Sequence, residues 1–239
     1  IARCGMDNGL TLPVLIELDL DGHRGGIDPY DRDLLQATGA ALMSPGARLA
    51  GVMAHAGASY DLDSAAALQA AARDEARAAR TAAQHLREAG LPCDIVSIGS
   101  TPTALHANSL EGITEIRAGV FMFFDLVQAG IGVCRPEEIA LSVLATVISA
   151  DPAKGRLVVD AGWMALSRDR GTANQSRDFG YGQVCDIHGR TIDGLIVADA
   201  QQEHGILAMR NRTALPALPV GSKLRILPNH ACATAAQHS

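Results

Sequence analysis

The chain has 239 residues, of which 48% are apolar and 19% charged, and its formal charge is −6 at pH 7. This composition can fill a sizeable core and excludes wholesale disorder. No apolar run approaches the roughly 18 residues that cross a bilayer, so we do not expect a membrane partner. The acidic excess lacks the basic patch that nucleic-acid binding needs, so we do not expect DNA or RNA either.

The five cysteines are scattered along the chain and form no Cys-x-x-Cys pair. An odd number at wide spacing favours free thiols over a disulfide framework or a structural zinc cluster. We therefore expect a reducing, cytoplasmic compartment.

The first half of the chain alternates strand and helix signals. Leu12 to Leu18 is a short branched apolar run that predicts a buried strand. A helix is predicted from Pro29, with Asp28 as its N-cap, to about Met43. Residues 64–89, rich in Ala and Arg, predict a long helix capped by Asp63 or Ser64. With further strands predicted from Arg48, in CDIVSIGS (93–100) and in TEIRAG (114–119), the alternation favours βαβ units and a parallel sheet.

After about residue 120 the pattern changes to strands joined by short polar loops. This half predicts a mostly antiparallel β domain. We place the boundary so that residues 1–130 form the later half of a β/α barrel and residues 131–239 form the β domain. The predicted strands lie in EIALSVLATVISA (138–150), RLVVDAGWMAL (156–166), YGQVCDI (181–187), DGLIVADA (193–200) and KLRILPN (223–229).

Both ends of the chain predict an interior piece of a longer protein. Ala2 to Met6 has the pattern of the end of a helix that leads into a strand, and about four parallel strands would leave both sheet edges open. The final CATAAQHS predicts neither a strand nor a helix that closes the β half. We therefore expect the other half of a barrel upstream.

The segment Pro228-Asn229-His230-Ala231-Cys232 predicts a metal site. In an extended segment residues i and i+2 point to the same side, so the imidazole of His230 and the thiol of Cys232 could bind one cation. This donor pair suits zinc, and two local ligands leave positions for water, substrate or a distant ligand. The alternative is a buried cysteine beside a polar histidine.

Two turns that follow predicted strands could bind a phosphate. The amides and hydroxyls of Ile98 to Thr103 could form an anion-binding concavity, and Gly119 and Val120 could contribute amides to the same anion. Ordinary turns explain both segments equally well. Other polar clusters follow apolar strands in DLDGHRGG (19–26), HAGASY (55–60), DAG (160–162) and QEHG (202–205), and each of them alone favours an ordinary turn over a site.

Taken together and in order, these segments resemble the D-serine dehydratase and D-threonine aldolase-like family of fold-type III pyridoxal-phosphate enzymes, which are relatives of alanine racemase. The resemblance implies a (β/α)8 barrel of the alanine racemase type, only its later part present in this chain, followed by a mostly antiparallel β domain. It extends from about Leu12 to His238 and is carried by IELDLDGHRGGI, AHAGASYD, IGSTPT, TEIRAGVFMFFD, VVDAGWMALSRDRG, QEHG and PNHACAT.

The resemblance also implies roles for individual residues. It implies that Arg24 lies near the ring of pyridoxal 5'-phosphate and that His55 and Tyr60 line the cofactor pocket. It further implies a divalent metal on His230 and Cys232. The residues that it implies around the cofactor phosphate are Ser100, Thr101, Gly119 and Val120.

The chain departs from the family pattern at two places. The family's Schiff-base lysine lies in an early barrel strand, but the only lysines here are Lys154, in a predicted turn, and Lys223, beside the last predicted strand. We therefore expect the catalytic lysine upstream of this chain. Phe121 stands where the family usually has a tyrosine, which removes one hydroxyl contact.

These features predict a pyridoxal-phosphate-dependent, metal-assisted lyase that acts on small D-3-hydroxy amino acids. The cofactor withdraws electrons from the α-carbon, and a metal can act as a Lewis acid on the β-hydroxyl. His-Ala-Cys resembles the zinc-dependent dehydratase branch, so we expect dehydration and deamination of D-serine or a D-3-hydroxyaspartate, with Zn2+ or alternatively Mn2+. The alternatives are D-threonine aldolase-type carbon–carbon cleavage and a non-catalytic pyridoxal-phosphate-binding protein. We expect a homodimer.

Overall fold

A computed structural model describes residues 1–22, 24–211 and 213–238 of the chain. The chain forms two compact units, Ile1–Gly119 and Val120–Ser239. The domain boundary that the sequence predicts after residue 130 lies eleven residues beyond the end of the first unit and stays a prediction. None of the helices in the described ranges has the length and apolarity that a bilayer crossing needs.

The first unit alternates strands and helices, as the sequence predicts. Its four strands form one parallel sheet in the order β1-β2-β3-β4. The elements in chain order are α1 (Ala2–Asp7), β1 (Leu12–Leu18), α2 (Arg32–Leu42), β2 (Ala47–Ala54), a 3-10 turn (Gly57–Asp61), α3 (Ala65–Glu88), β3 (Ile95–Ile98), α4 (Thr101–His106) and β4 (Glu115–Ile116).

The helix after β1 begins later than the sequence predicts. Its N-cap is Asp31, whose carboxylate accepts the N–H of Leu34 at 3.0 Å, and not Asp28. The carboxylate of Asp28 instead accepts the N–H of Tyr30 at 2.9 Å, in a turn that contains Pro29. Because the carboxylate of Asp28 is used inside this turn, Asp31 caps the helix and the helix starts at Arg32.

The long helix α3 covers the sheet with a stripe of small and apolar side chains. Ser64 caps it by accepting the N–H of Ala67, which confirms one of the two predicted caps. Its buried residues recur every three or four positions, so one face lies against the core while the Arg-rich face meets solvent. The core of this unit joins that stripe to the strands through Leu35, Leu49, Val52, Ala79, Ala83, Leu86 and Val96.

The second unit is dominated by strands. Six of them close into an antiparallel barrel in the order β10-β5-β6-β9-β8-β7. The elements are a 3-10 turn (Val120–Met122), α5 (Leu126–Gly130), a 3-10 turn (Pro136–Glu138), β5 (Val143–Asp151), a 3-10 turn (Pro152–Lys154), β6 (Arg156–Val159), α6 (Trp163–Leu166), β7 (Gly182–Cys185), β8 (Thr191–Ala200), β9 (Gly205–Met209), β10 (Lys223–Pro228) and α7 (Ala231–Ala235).

The barrel corrects three expectations from the sequence. Trp163–Leu166 forms a helical turn and not the end of a strand, because the N–H groups of Trp163 and Met164 bond to the carbonyls of Gln201 and Gln202. The strand β9 was not predicted, although it pairs with both β6 and β8. Close to the end of the chain, where no element was predicted, the short helix α7 follows β10.

Candidate functional site

Two aromatic rings predicted to line the cofactor pocket pair after β2. The rings of His55 and Tyr60 lie 6.2 Å apart with an interplanar angle of 23°. Nδ1 of His55 lies 2.7 Å from the carbonyl oxygen of Gly99, in the loop that follows β3. Because a carbonyl can only accept, Nδ1 carries the hydrogen and Nε2 of a neutral His55 is the nitrogen left to accept.

Ser100 and Thr101, predicted to hold the phosphate, stand at the start of α4 and are both buried. Ser100 caps this helix: its hydroxyl accepts the N–H of Thr103, while the hydroxyl of Thr103 accepts the N–H of Ser100, each at 3.3 Å. The Ser100 hydroxyl also lies 3.0 Å from the hydroxyl of Ser59, in the loop after β2. A phosphate contact from Ser100 would therefore share a hydroxyl that already caps a helix.

Glu75 is a residue that the sequence analysis missed. It projects from α3 and is 2% exposed, with Oε1 accepting the N–H of Ala56 at 3.0 Å and that of Gly99 at 3.1 Å. Oε2 accepts the hydroxyl of Thr103 at 2.7 Å. Burial raises the pKa of Glu75, whereas these hydrogen bonds and the nearby His55 act in the opposite direction.

The remaining predicted cofactor residues occupy different parts of the chain. Arg24 lies exposed in the loop after β1. Its neighbour in the motif, His23, lies outside the described residues. A Cβ added at Gly119 would meet no atom within 4 Å, so the backbone there can be approached closely. Val120 is buried at the first residue of the second unit.

The first unit contains a cavity of about 850 Å³. It is lined by the loops that follow β1 and β2 and by the N-terminal half of α3. Within the described residues, its walls include Glu75 and Ser59 but none of the residues predicted to contact the cofactor. The cavity therefore gives no support to the predicted pocket.

The predicted metal ligands lie at the junction of β10 and α7. His230 has extended backbone angles and precedes the helix, whereas Cys232 lies in its first turn. The expectation of an extended segment with both side chains on one face is therefore wrong. Oδ2 of Asp125 accepts the N–H of Ala231 at 2.8 Å. The first N–H group of α7 therefore has a partner, and the helix begins directly after His230.

His230 has a carboxylate partner that the sequence analysis missed. Its Nδ1 donates to Oδ2 of Asp169 at 2.6 Å, which leaves Nε2 available. A ligating histidine typically donates its other ring nitrogen to such a carboxylate. The preceding Asn229 is buried and holds the same loop, since its amide donates to the carbonyls of Asp169 at 3.0 Å and Gly180 at 2.6 Å.

Asp125 fixes the residue between the two predicted ligands. Its Oδ1 caps α5 by accepting the N–H of Gln128 at 2.9 Å, while Oδ2 holds Ala231. Burial raises the pKa of Asp125. Burial also raises the pKa of the Cys232 thiol, and the charge of Asp125 adds to this effect.

The donor set around His230 fits a metal that keeps open positions. An imidazole nitrogen oriented by Asp169 and a cysteine sulfur are donors that zinc accepts. Across residues 1–22, 24–211 and 213–238, no three His, Cys, Asp or Glu side chains gather closely enough to enclose an ion. His230 and Cys232 could therefore supply part of a site but not a closed four-ligand cage.

Comparison with known proteins identifies the family. Residues 1–127 match the family model "Alanine racemase, N-terminal domain", and residues 140–239 match "Putative serine dehydratase domain". The chain belongs to this alanine racemase and D-serine dehydratase family. The resemblance stated from the sequence motifs is thereby confirmed, together with the alanine racemase-type fold, in which a parallel-sheet unit precedes an antiparallel barrel.

Relatives that match nearly all of this chain are named dehydratases and an aldolase. The chain is 56% identical over 241 residues to D-threo-3-hydroxyaspartate dehydratase of Delftia sp. (strain HT23). This alignment covers 99% of the present chain and 63% of the Delftia protein. The chain is 34% identical to D-serine dehydratase of Dictyostelium discoideum, over 95% of this chain and 59% of that protein. It is 29% identical to D-threonine aldolase of Arthrobacter sp, over 96% of this chain and 56% of that protein. The chain thus spans about three fifths of the length of these relatives.

Solved structures named D-threo-3-hydroxyaspartate dehydratase match this chain over 99 to 100% of its length, and one of them is from Delftia sp. HT23. The Delftia structure superposes with a TM-score of 0.94, and the match covers 99% of this chain and 64% of that one. Two further structures are of single variants: in one a histidine is replaced by alanine, and in the other a cysteine two positions later is replaced by alanine, with TM-scores of 0.95 and 0.94. The cysteine variant is in the metal-free form.

Proposed function

We propose that this chain is part of a pyridoxal-phosphate-dependent, metal-assisted lyase that dehydrates and deaminates D-3-hydroxy amino acids. The observation that carries the proposal is the His-Ala-Cys segment, whose histidine is oriented by Asp169. Its support from the comparisons is the 56% identity to a D-threo-3-hydroxyaspartate dehydratase. We propose D-3-hydroxyaspartate as the substrate, with D-serine as the other candidate.

We propose that His230 and Cys232 hold a zinc ion, with manganese as the alternative. A metal bound there would act as a Lewis acid on the substrate's β-hydroxyl and make hydroxide a workable leaving group. His230 would bind it through Nε2, because Nδ1 already donates to Asp169. Cys232 would bind it as thiolate. The histidine and cysteine that are replaced in the two D-threo-3-hydroxyaspartate dehydratase variants have the same spacing as His230 and Cys232, which supports this assignment.

We propose that the cofactor occupies the carboxyl end of the parallel sheet. Pyridoxal 5'-phosphate would withdraw electrons from the α-carbon of the substrate. The open backbone at Gly119 fits a group that must approach closely, and the paired rings of His55 and Tyr60 offer an acceptor at Nε2. We assign contacts with the cofactor to Arg24, His55, Tyr60, Ser100, Thr101, Gly119 and Val120.

The two lysines of the chain do not fit the role of the lysine that binds the cofactor covalently. Nζ of Lys154 pairs with Asp151 at 3.1 Å in the turn between β5 and β6. Nζ of Lys223 bonds to the hydroxyl of Thr146 at 2.6 Å at the start of β10. Both lysines belong to the antiparallel barrel of the second unit and not to the parallel sheet. We therefore propose that the lysine that binds the cofactor is upstream of this chain.

Two alternatives remain distinguishable by experiment. D-threonine aldolase-type cleavage is supported by the 29% identity to such an enzyme, and it would release an aldehyde in place of ammonia. A non-catalytic pyridoxal-phosphate-binding protein would need no metal, so the His-Ala-Cys segment counts against it. We also propose a homodimer in the cytoplasm, as expected from the sequence.

The test of the function uses the full-length protein. Borohydride reduction should fix the cofactor to a lysine, which mass spectrometry should locate upstream of Ile1. The protein should release ammonia from D-threo-3-hydroxyaspartate or D-serine. Absence of a phosphopyridoxyl lysine contradicts the proposal, and release of glycine and an aldehyde from D-threonine without ammonia supports the aldolase.

Substitutions at Cys232 test the metal assignment. Cys232→Ser replaces a soft thiolate with a hydroxyl that is a poor zinc ligand near neutral pH, so metal and elimination activity should both be lost. Cys232→Asp should bind harder cations and recover some activity with manganese, with more carbon–carbon cleavage. Elemental analysis measures the bound metal, and Cys4→Ser, at an exposed thiol of the first unit, is the control. Full activity in Cys232→Ser would remove the residue from the site.

A further inference from the structure

The buried carboxylate of Glu75 lies where the packing of α3 calls for an apolar side chain. Leu68, Ala72, Glu75, Ala79, Ala82 and Leu86 follow one another at alternating spacings of four and three and are all buried. A carboxylate in such a stripe is costly unless its oxygens are hydrogen-bonded. Its three hydrogen-bond donors are the N–H of Ala56 in the loop after β2, the N–H of Gly99 between β3 and α4, and the hydroxyl of Thr103 in the first turn of α4.

The first two contacts hold two backbone segments that adjoin His55, one next to it in sequence and one that its ring contacts. Oε1 of Glu75 accepts the N–H of Ala56, the residue that follows His55, and the N–H of Gly99. The carbonyl of Gly99 in turn accepts Nδ1–H of His55. One carboxylate oxygen therefore joins the two loops that set the position and tautomer of the His55 ring.

The third contact reaches the start of α4. Oε2 of Glu75 accepts the hydroxyl of Thr103, and the same hydroxyl accepts the N–H of Ser100 in the helix cap. Glu75 therefore also fixes the turn that presents Ser100 and Thr101. The turn has little other freedom, because Gly99 has φ +141° and a Cβ there would lie 2.8 Å from the backbone nitrogen of Arg117.

We propose that Glu75 is a positioning residue of the cofactor site. Its buried carboxylate fixes the position of the loop after β2 relative to the start of α4. It acts through His55, Ser100 and Thr101 and does not itself contact the cofactor. This inference rests on the proposed function, since those three residues are the ones assigned to the cofactor. Its consequence is that hydrogen-bonding capacity at position 75 sets cofactor affinity and geometry.

Two variants separate hydrogen bonding from charge. In Glu75→Gln the amide oxygen can still accept both N–H groups, and the amide nitrogen can donate to Thr103, whose hydroxyl hydrogen then turns to the carbonyl of Ser100, 3.3 Å away. Glu75→Leu keeps the volume but leaves the N–H groups of Ala56 and Gly99 without their acceptor. Leu86→Ala is the control, because it weakens the same buried stripe about three turns away, beside Gly39.

The experiment measures binding of pyridoxal 5'-phosphate to the full-length apoprotein, the visible circular dichroism of the bound cofactor and the Tm of each apoprotein. Glu75→Leu should lose about tenfold or more in affinity and change the dichroism, because two buried N–H groups lose their acceptor and the loops that carry His55 and Ser100 can move apart. Glu75→Gln should keep nearly wild-type affinity and unchanged dichroism, because its amide can make the same three hydrogen bonds. Leu86→Ala should lower Tm and leave both cofactor readouts unchanged.

Several results would overturn the proposal. Wild-type affinity and dichroism in Glu75→Leu, with only Tm lowered as in Leu86→Ala, would show that Glu75 serves the fold alone. Equal losses in the Gln and Leu variants would show that the site needs the charge and not the contacts. If the Leu variant does not fold, Thr103→Val decides, since loss of its hydroxyl should weaken binding and unchanged binding contradicts the proposal. A wild-type protein that binds no cofactor would overturn the proposed function itself.

Discussion

The contact between Asp169 and His230 gives the most specific prediction at the scale of single residues. Asp169→Ala should lower metal affinity by about 10- to 100-fold, because removing a carboxylate that orients a ligating histidine has effects of this size. Competition with a chromophoric chelator measures the affinity. Asp193→Ala, which removes another exposed carboxylate from the same unit, is the control. Equal metal affinity in wild type and Asp169→Ala would show that the contact does not serve the metal.

Site residues differ in how far the sequence alone can predict them. His230 and Cys232 stand out because two metal-binding side chains lie within three positions after a strand. Asp169 gives no such signal, since it lies 61 positions from His230 and only the folded barrel brings the two side chains together. Glu75 could have been found, because a carboxylate at a position of the apolar stripe of α3 requires buried partners.

At the scale of elements, local signals predict the long elements and fail where tertiary contacts decide. The helix α3 has a cap, high helix propensity and a stop at Gly90, all of which act within the element. In contrast, α7 begins where Asp125, 106 positions away, accepts the N–H of Ala231. The short strand β9 is defined by pairing with β6 and β8, which no local pattern encodes.

The strand β7 carries a thiol that should make the barrel sensitive to alkaline pH. Burial raises the pKa of Cys185 to about 11, and the charge of Asp186 adds to the rise while Arg225 opposes it. The unfolded thiol ionises near pH 8.5, so between about 8.5 and 11 the unfolded chain loses a proton that the folded chain keeps. The folded state is therefore destabilised as pH rises through this window.

Replacing this thiol tests the effect. Cys185→Ala should lower the unfolding free energy near neutral pH, because a buried atom is lost, but the further fall in stability between about pH 8 and about pH 10.5 should be smaller than in wild type. Urea unfolding at the two pH values measures both quantities. Cys4→Ala removes an exposed thiol and should keep the wild-type slope. An unchanged slope in Cys185→Ala would contradict the assignment.

At the scale of the whole molecule, the division of the chain into a parallel-sheet unit and a barrel follows from the change of pattern near residue 120. Alternating strand and helix signals predict parallel pairing, and short polar loops between strands predict antiparallel pairing. The closure of the six strands into a barrel could not be predicted, because it depends on the pairing of β10 with both β5 and β7. The family resemblance implies an antiparallel β domain at this place but not its closure.

This division separates the two proposed binding sites along the chain. His230, Cys232, Asp169 and Asp125 all belong to the barrel unit, whereas all proposed cofactor residues except Val120 belong to the parallel-sheet unit. Each site has its own hydrogen-bond network: Asp169 and Asp125 support the first, and Glu75 supports the second. Binding of the metal and binding of the cofactor should therefore be separable.

Chelation of the full-length protein tests this separation. Removing the metal should abolish ammonia release from D-3-hydroxy amino acids and leave the visible absorbance of the bound cofactor in place, and added zinc should restore activity. Thr101→Val should do the reverse: metal content stays at the wild-type level while cofactor retention falls by about 1.5 to 3 kcal/mol, the range for a hydrogen bond to a charged group. Loss of the cofactor together with the metal would show that the two sites are coupled, and full activity in demonstrably metal-free protein would remove the metal from the reaction.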